Sequence, residues 1–151
     1  MAYTNAEGRQ RLLDELGSAT EAIGMAIAML GEAYELLDDL TADRLEELLF
    51  RPAQAASARA KRTYGDFAER HRFPPRSFAV GAAGYAVGAR GHIDHAVEAI
   101  QRADAELGEL QDSMLPVEVG DAEVRAGISE TRALLGALPR AAHELERTLG
   151  R

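Results

Sequence analysis

The string His92-x-x-His95-x-x-Glu98 places two imidazoles and a carboxylate at every third residue. On a helix, this spacing puts the three side chains on adjacent flanks, within reach of one metal ion or one substrate. Imidazole titrates near neutral pH, so either histidine could also exchange protons with a substrate. The competing interpretation is a pair of surface histidines with Glu98 as a solvated partner, and we favour it. We therefore predict neither a metal nor a cofactor.

Several catalytic signatures are missing from the sequence. Glu-x-x-His, the di-iron signature of helical bundles, precedes none of the four histidines, and His-Glu-x-x-His does not occur. The absence of cysteine excludes disulfides, thiolate metal sites and cysteine nucleophiles. His143 would lie level with His92 in an antiparallel bundle and is a ligand candidate, although it follows the core position Ala142 and should point outward. Because no second catalytic group is indicated, we expect no catalytic activity from the chain on its own.

A basic stretch surrounds the Pro74-Pro75 turn, where Arg70, Arg72 and Arg76 lie close together in an otherwise acidic chain. The turn precedes the predicted third helix, whose free N–H groups and dipole could help these arginines to bind a phosphate, sulfate or carboxylate. The alternative is that arginines at the end of the preceding helix only stabilise its dipole.

Four glycines, Gly81, Gly84, Gly88 and Gly91, recur at spacings of three, four and three within and just after the uncharged run of residues 78–89. On a helix they would form one stripe, and each would cost roughly 1 kcal/mol relative to alanine. Glycines that lower helix stability this much indicate that another helix or a ligand approaches the backbone closely.

A seven-residue apolar repeat predicts the first helix, over residues 5–39. Its members are Leu13, Leu16, Thr20, Ile23, Ile27, Leu30, Tyr34 and Leu37. The opposite side of this helix is also apolar and carries Met25, Met29 and Leu36. A helix that is apolar on two sides is either central in its own fold or in contact with another chain. We assign these three residues, together with the four glycines, to an interface, because methionine is common at partner surfaces.

The remaining pattern predicts an all-α protein. Helical composition runs from Thr41 to about residue 71 and from Ser77 to about residue 114, and Asp121 caps a last helix. Pro52 and Pro139 interrupt two of these segments, where we expect kinks. At Pro52 the alternative is a short helix over residues 42–50 that precedes a longer one starting at Pro52. We predict one domain over residues 1–151, an antiparallel up-down four-helix bundle, with an alternative in which the first or third helix is shared with a second chain.

In an antiparallel bundle, residues that are equally far along the chain from a connecting turn lie side by side. By this rule the unusual residues fall at one level of the bundle. Pro52, Pro139, the His92–His95 pair and Gly24–Met25 would share a layer, which suggests a pocket where the bundle is opened by its kinks. The alternative is that the prolines face solvent and the small residues only allow tight packing.

Composition limits the class of protein. The net charge of −8 argues against nucleic-acid binding. The sequence has neither an apolar run of membrane-spanning length nor a signal-peptide pattern, so we expect a cytoplasmic protein with no membrane partner. Arg outnumbers Lys sixteen to one, a skew typical of high-GC bacterial genomes.

Two functions remain open. We favour a helical-bundle accessory subunit that acts by association, either as a homo-oligomer or in a hetero-complex with a larger protein, for example an enzyme. The alternative is a small-molecule or metal-binding bundle, or an enzyme, that uses a layer of His92, His95 and Glu98.

Overall fold

The computed structural model describes residues 4–79 and 81–149, and in these residues the protein is all-α with no strand. The elements are α1 (Asn5–Glu35), α2 (Asp39–Leu45), a π-helical turn (Glu46–Phe50), α3 (Arg51–Arg70), α4 (Gly88–Asp112), α5 (Leu115–Glu118), α6 (Ala122–Gly136) and α7 (Leu138–Glu146). The all-α prediction is confirmed, and four of these helices, α1, α3, α4 and α6, are long. Among the described helices, none reaches the combination of length and hydropathy that a membrane span needs.

Side-chain caps fix where three of the helices begin. Thr4 and Glu7 form a reciprocal capping box at the start of α1. Asp38 caps α2 by accepting a hydrogen bond from the backbone N–H of Thr41, so this helix begins two residues before Thr41, where the sequence analysis started it. Asp121 caps α6 as predicted.

Both helix-interrupting prolines lie in the first turn of a helix. Pro52 follows the π-helical turn and belongs to the first turn of α3, and Pro139 belongs to the first turn of α7. The first turn tolerates proline because its N–H groups have no partner within the helix. The backbone keeps helical dihedral angles at Phe50, Arg51 and Ala137, so each proline follows a local change in a helical path and not an interruption by a loop.

The third helix differs from its prediction. It begins at Gly88 instead of Ser77, and residues 73–79 and 81–87 form a non-helical stretch, which we call the crossover segment. Of the four glycines whose spacing mimicked a helical stripe, Gly81 and Gly84 lie in this stretch, whereas Gly88 and Gly91 lie at the start of α4. Glycine disfavours a helix, and the crossover segment instead packs its bare backbone against α1.

The course of the crossover segment sets the topology. We call the end of the bundle where α1 finishes the upper end and the opposite end the lower end. The crossover segment climbs along α1, since Arg76 lies at Gly17, Gly81 at Gly24 and Gly84 at Met29. It therefore returns the chain from the lower end of α3 to the upper end, where α4 begins.

The long helices consequently run up, down, down and up. Ion pairs from Arg59 to Glu130 and from Arg70 to Asp121 show that α6 is antiparallel to α3. α1 packs mainly on α4, and α3 packs mainly on α6 and α1. This order differs from the predicted strict alternation, and it is that of bundles with one long crossover connection.

The core lies between the four long helices. The apolar repeat of α1 fills it together with Phe67 of α3 and the leucines and isoleucines of α4 and α6. In α1, the repeat members Leu13, Leu16, Thr20, Ile23 and Leu30 are buried, whereas Tyr34 near the upper end is partly exposed. The buried stripe of α1 therefore ends just below the upper end.

Candidate functional sites

The back of α1 is covered by the protein's own crossover segment. A Cβ added at Gly81 would lie 2.7 Å from the backbone of Gly24 and Met25, and one added at Gly84 would lie 3.0 Å from the Met29 methyl carbon. Met29 is only 5% exposed. The face that the sequence analysis assigned to another chain is thus filled here from within the molecule.

The other predicted interface residues lie apart from this contact. Gly88 adopts a positive φ of 71° where α4 begins, and a Cβ there would meet open space. A Cβ at Gly91 would make only an ordinary contact with Ala86. Met25 is half-buried and accepts a weak hydrogen bond from Arg102. Leu36 is 58% exposed, so of the three apolar residues assigned to the back of α1 it presents the largest free surface.

Arg70, the first arginine of the predicted anion site, is already paired. It donates two hydrogen bonds of 2.9 Å to Asp121 and forms an ion pair of 3.0 Å with Glu123. His71 also contacts Asp121, at 3.0 Å. Burial alone would raise the pKa of Asp121, but the hydrogen bonds from Arg70, Val124 and His71 hold that pKa well below its ordinary value.

The other two arginines have different surroundings. Arg76 pairs with Glu21 and lies over the ring of Phe78, 4.8 Å from its centroid, so it fastens the crossover segment to the bundle. Arg72 is exposed and adopts a positive φ of 62°. The helix N-terminus expected beside these arginines is at Gly88, at the other end of the bundle. The structure therefore does not assemble the three arginines and a helix dipole into one anion site.

The histidine layer is also divided. Glu98 and His143 line an open groove of about 370 Å³ between α4 and α7, but His92 and His95 do not line it. His92 is half-buried, and its Nδ1 finds no hydrogen-bond partner within the described residues. Over the same residues, no three His, Asp or Glu side chains form a group that could hold a metal ion.

The groove contains two carboxyl groups that the sequence analysis missed, Asp94 and Glu146. Glu146 is only 9% exposed. Burial, together with hydrogen bonding to and repulsion from the neighbouring Asp94, raises the pKa of Glu146 to about 7, although Arg90 opposes this shift. A signal for Glu146 existed in the sequence, because it follows the core position Ala142 by four residues and so shares its side of the helix.

A second feature lies at the upper end. Five large apolar side chains are exposed there, and we call them the upper-end patch: Tyr34, Leu36, Leu40, Tyr85 and Val87. Tyr85 and Val87 reach the upper end because the crossover segment has already climbed to the level of Met29 at Gly84. Leu36 alone among the five was predicted to be a contact residue.

A hollow of about 330 Å³ lies beside the upper-end patch. Tyr34 and Phe50 give it aromatic walls, and Gly31, Glu35 and Glu46 complete it. Glu46 and Phe50 belong to the π-helical turn, a local distortion found frequently at functional sites.

The chain around the hollow is strongly acidic. Residues 31–50 contain seven Asp or Glu against one Arg, a local net charge of −6. Most of these acidic side chains are exposed. The upper end therefore combines exposed apolar side chains with an excess of exposed acidic ones.

No protein-family model matches this sequence, and neither a curated protein nor a solved structure was found to match it. The groove between α4 and α7 and the upper end are therefore the two candidate sites of this protein.

Proposed function

We propose that this protein is a helical accessory subunit that acts by association, and that its upper end binds a partner protein. One observation carries this proposal: among the described residues, five of the seven large apolar side chains that are exposed belong to the upper-end patch. Single exposed apolar residues are ordinary on a protein surface, whereas a cluster of them marks an interaction site.

The charge around the upper-end patch favours a partner different from this chain. If a second copy of the chain docked on the same patch, the acidic side chains of the two upper ends would come together, and like charges at an interface cost several kcal/mol. A partner with Lys or Arg around an apolar projection would instead be attracted to this end. We therefore favour the hetero-complex over the homo-oligomer.

The hollow gives the partner a place to anchor. Interface energy is concentrated in a few buried side chains, and aromatic residues are enriched among them. Tyr34 and Phe50 would contact an apolar side chain inserted into the hollow, while Leu36, Leu40 and Tyr85 would cover the surface around it. We also propose that the helical path bends at Pro52 and at Pro139, and that these bends position the π-helical turn and α7 at the upper end.

Paired variants test the proposal. The tagged chain is purified from the cells that naturally produce it, as the wild type, as Leu36→Lys with Leu40→Lys, and as Val117→Lys. Val117 is exposed at the lower end and so controls for the loss of an exposed apolar side chain and the gain of a positive charge. We expect a stoichiometric partner with the wild type and with Val117→Lys, and its loss with the double variant.

Two results would contradict the proposal. If all three forms recover the same partner in the same amount, the upper-end patch does not bind it. If the wild type recovers only copies of itself and the double variant does not, the association is homo-oligomeric and the charge argument fails.

A further inference from the structure

The groove between α4 and α7, which we call the carboxyl groove, is separate from the upper-end patch and its residues. Three carboxylates and an imidazole line it, from Asp94, Glu98, His143 and Glu146. Its less polar surface comes from Val97, Pro139 and Ala142, and Gln101 completes it. Its volume of about 370 Å³ falls within the range of small-molecule sites.

Glu146 distinguishes this groove from an ordinary acidic surface. The residue is only 9% exposed, and its Oε1 receives no hydrogen bond from any donor in the described part of the chain. Its carboxyl group is hydrogen-bonded to the acceptor Asp94, so Glu146 must itself supply the proton of that bond. The nearest cation, the Arg90 guanidinium, lies 3.9 Å from the other carboxylate oxygen, beyond hydrogen-bond distance. A buried carboxyl oxygen that receives no hydrogen bond is unfavourable, and a ligand that carries N–H donors would supply one.

We propose that the carboxyl groove binds a small organic cation, an alkylamine or a guanidinium compound with more than one positive group. One ammonium group would donate to Glu146 and Asp94, and a second would reach Glu98. The alkyl chain between them would pack on Val97 and Ala142. A metal ion is a poorer fit, because the carboxylates are spread along the groove and, among the described residues, do not converge as metal ligands must.

Binding should depend on pH. Glu146 holds a proton near neutral pH because of its burial and of Asp94, and Arg90 opposes this. Glu98 and His143 are the remaining titratable groups in the groove, and neither α6 nor the π-helical turn, which also pack on α7, contributes a lining residue. A cation favours the ionised carboxylate, so binding near pH 7 should release a proton and should be tighter at pH 8 than at pH 6.

Titration calorimetry with spermidine and 1,4-diaminobutane tests this proposal. The chain offers a matched control, because Glu144→Gln makes the same chemical substitution at an exposed position on the same helix, outside the groove. We expect saturable one-to-one binding of at least one amine by the wild type and by Glu144→Gln. Glu146→Gln should weaken that binding at least tenfold and abolish proton release, which is measured as the difference in heat between two buffers of unequal ionisation enthalpy.

Two outcomes would overturn the proposal. The first is that neither amine binds the wild type with saturation. The second is that Glu144→Gln and Glu146→Gln weaken binding equally, which would show only the general attraction of cations to a chain of net charge −8. Circular dichroism of both variants ensures that a loss of binding is not a loss of fold.

Discussion

Alanine substitutions at three glycines should change stability in three different ways. Gly81 meets the backbone of α1, Gly84 meets the flexible end of Met29, and Gly91 lies in α4 with only an ordinary contact. If these glycines were one helical stripe, as their spacing suggests, alanine would raise helix propensity at all three. The packing of the crossover segment predicts instead that the sign depends on what the new methyl group touches.

The geometry sets the magnitudes. At residue 81, the added carbon would stand 2.7 Å from three backbone atoms of α1, roughly 1 Å closer than an optimal contact between carbon atoms. Overpacking of this kind costs about 1–3 kcal/mol, of which alanine restores about 0.4–1 kcal/mol by restricting the unfolded chain. We expect Gly81→Ala to lose about 1–2 kcal/mol, Gly84→Ala to be nearly neutral, and Gly91→Ala to gain about 0.5–1 kcal/mol.

Urea unfolding followed by circular dichroism measures these differences, and trypsin provides a local readout. Cleavage after Arg76 should accelerate in Gly81→Ala, because the crossover segment is lifted from α1, and should be unchanged in Gly91→Ala. If Gly81→Ala and Gly91→Ala shift the free energy of unfolding by the same amount in the same direction, the described packing is wrong.

Three further substitutions test other parts of the structure. Asp121→Ala should cost about 1–2 kcal/mol of unfolding free energy at pH 7, because it removes a helix cap and the partner of Arg70. The pKa of Asp121 is lowered in the folded protein, so urea unfolding should show this full loss above pH 3.8, the ordinary pKa of the group, and a smaller loss as the pH falls below 3.8. Gly127→Ala should cost about 1–3 kcal/mol, because its Cβ would overlap the side chain of Thr63, and a thermal midpoint lowered by less than about 2 °C would contradict this. The raised pKa of Glu146 in the folded protein makes ionisation of this carboxyl group destabilising, so the wild type should lose stability as pH rises from 4.5 to about 7 and Glu146→Gln should not. A difference in thermal midpoint between variant and wild type that is the same at pH 5 and at pH 8 would contradict this.

The helices were predictable from sequence where burial is periodic. The repeat of α1 is buried over most of its length because each member faces the same core, and Asp121 supplies the local chemistry that starts α6. The crossover segment was not predictable in this way. Its glycines and alanines satisfy a helical spacing, but its conformation is decided by contact with Gly24 and Met25, which lie more than fifty residues away in the chain.

The candidate sites were predictable only in part. Glu98 and His143 were singled out and do line one groove, but Asp94 and Glu146 needed the pairing of α4 with α7 before their closeness could be recognised. The upper-end patch has the same origin. Leu36 directly follows α1, whose apolar pattern predicted it to be a contact residue, whereas Tyr85 reaches the upper end only because the crossover segment runs up along the bundle.

Site-specific photo-crosslinking shows whether the protein associates with a partner through its upper end. A benzophenone amino acid replaces Leu40 or Tyr85 of the upper-end patch, or Val117 at the lower end, and the full chain is irradiated in the cells that naturally produce it. Leu40 is 75% exposed and Tyr85 is 89% exposed, so neither replacement disturbs the core.

We expect one discrete product from both upper-end positions, containing this chain and a second protein with Lys or Arg around the crosslinked site, and no such product from position 117. The same product from all three positions, or no product from the upper end, would contradict this expectation.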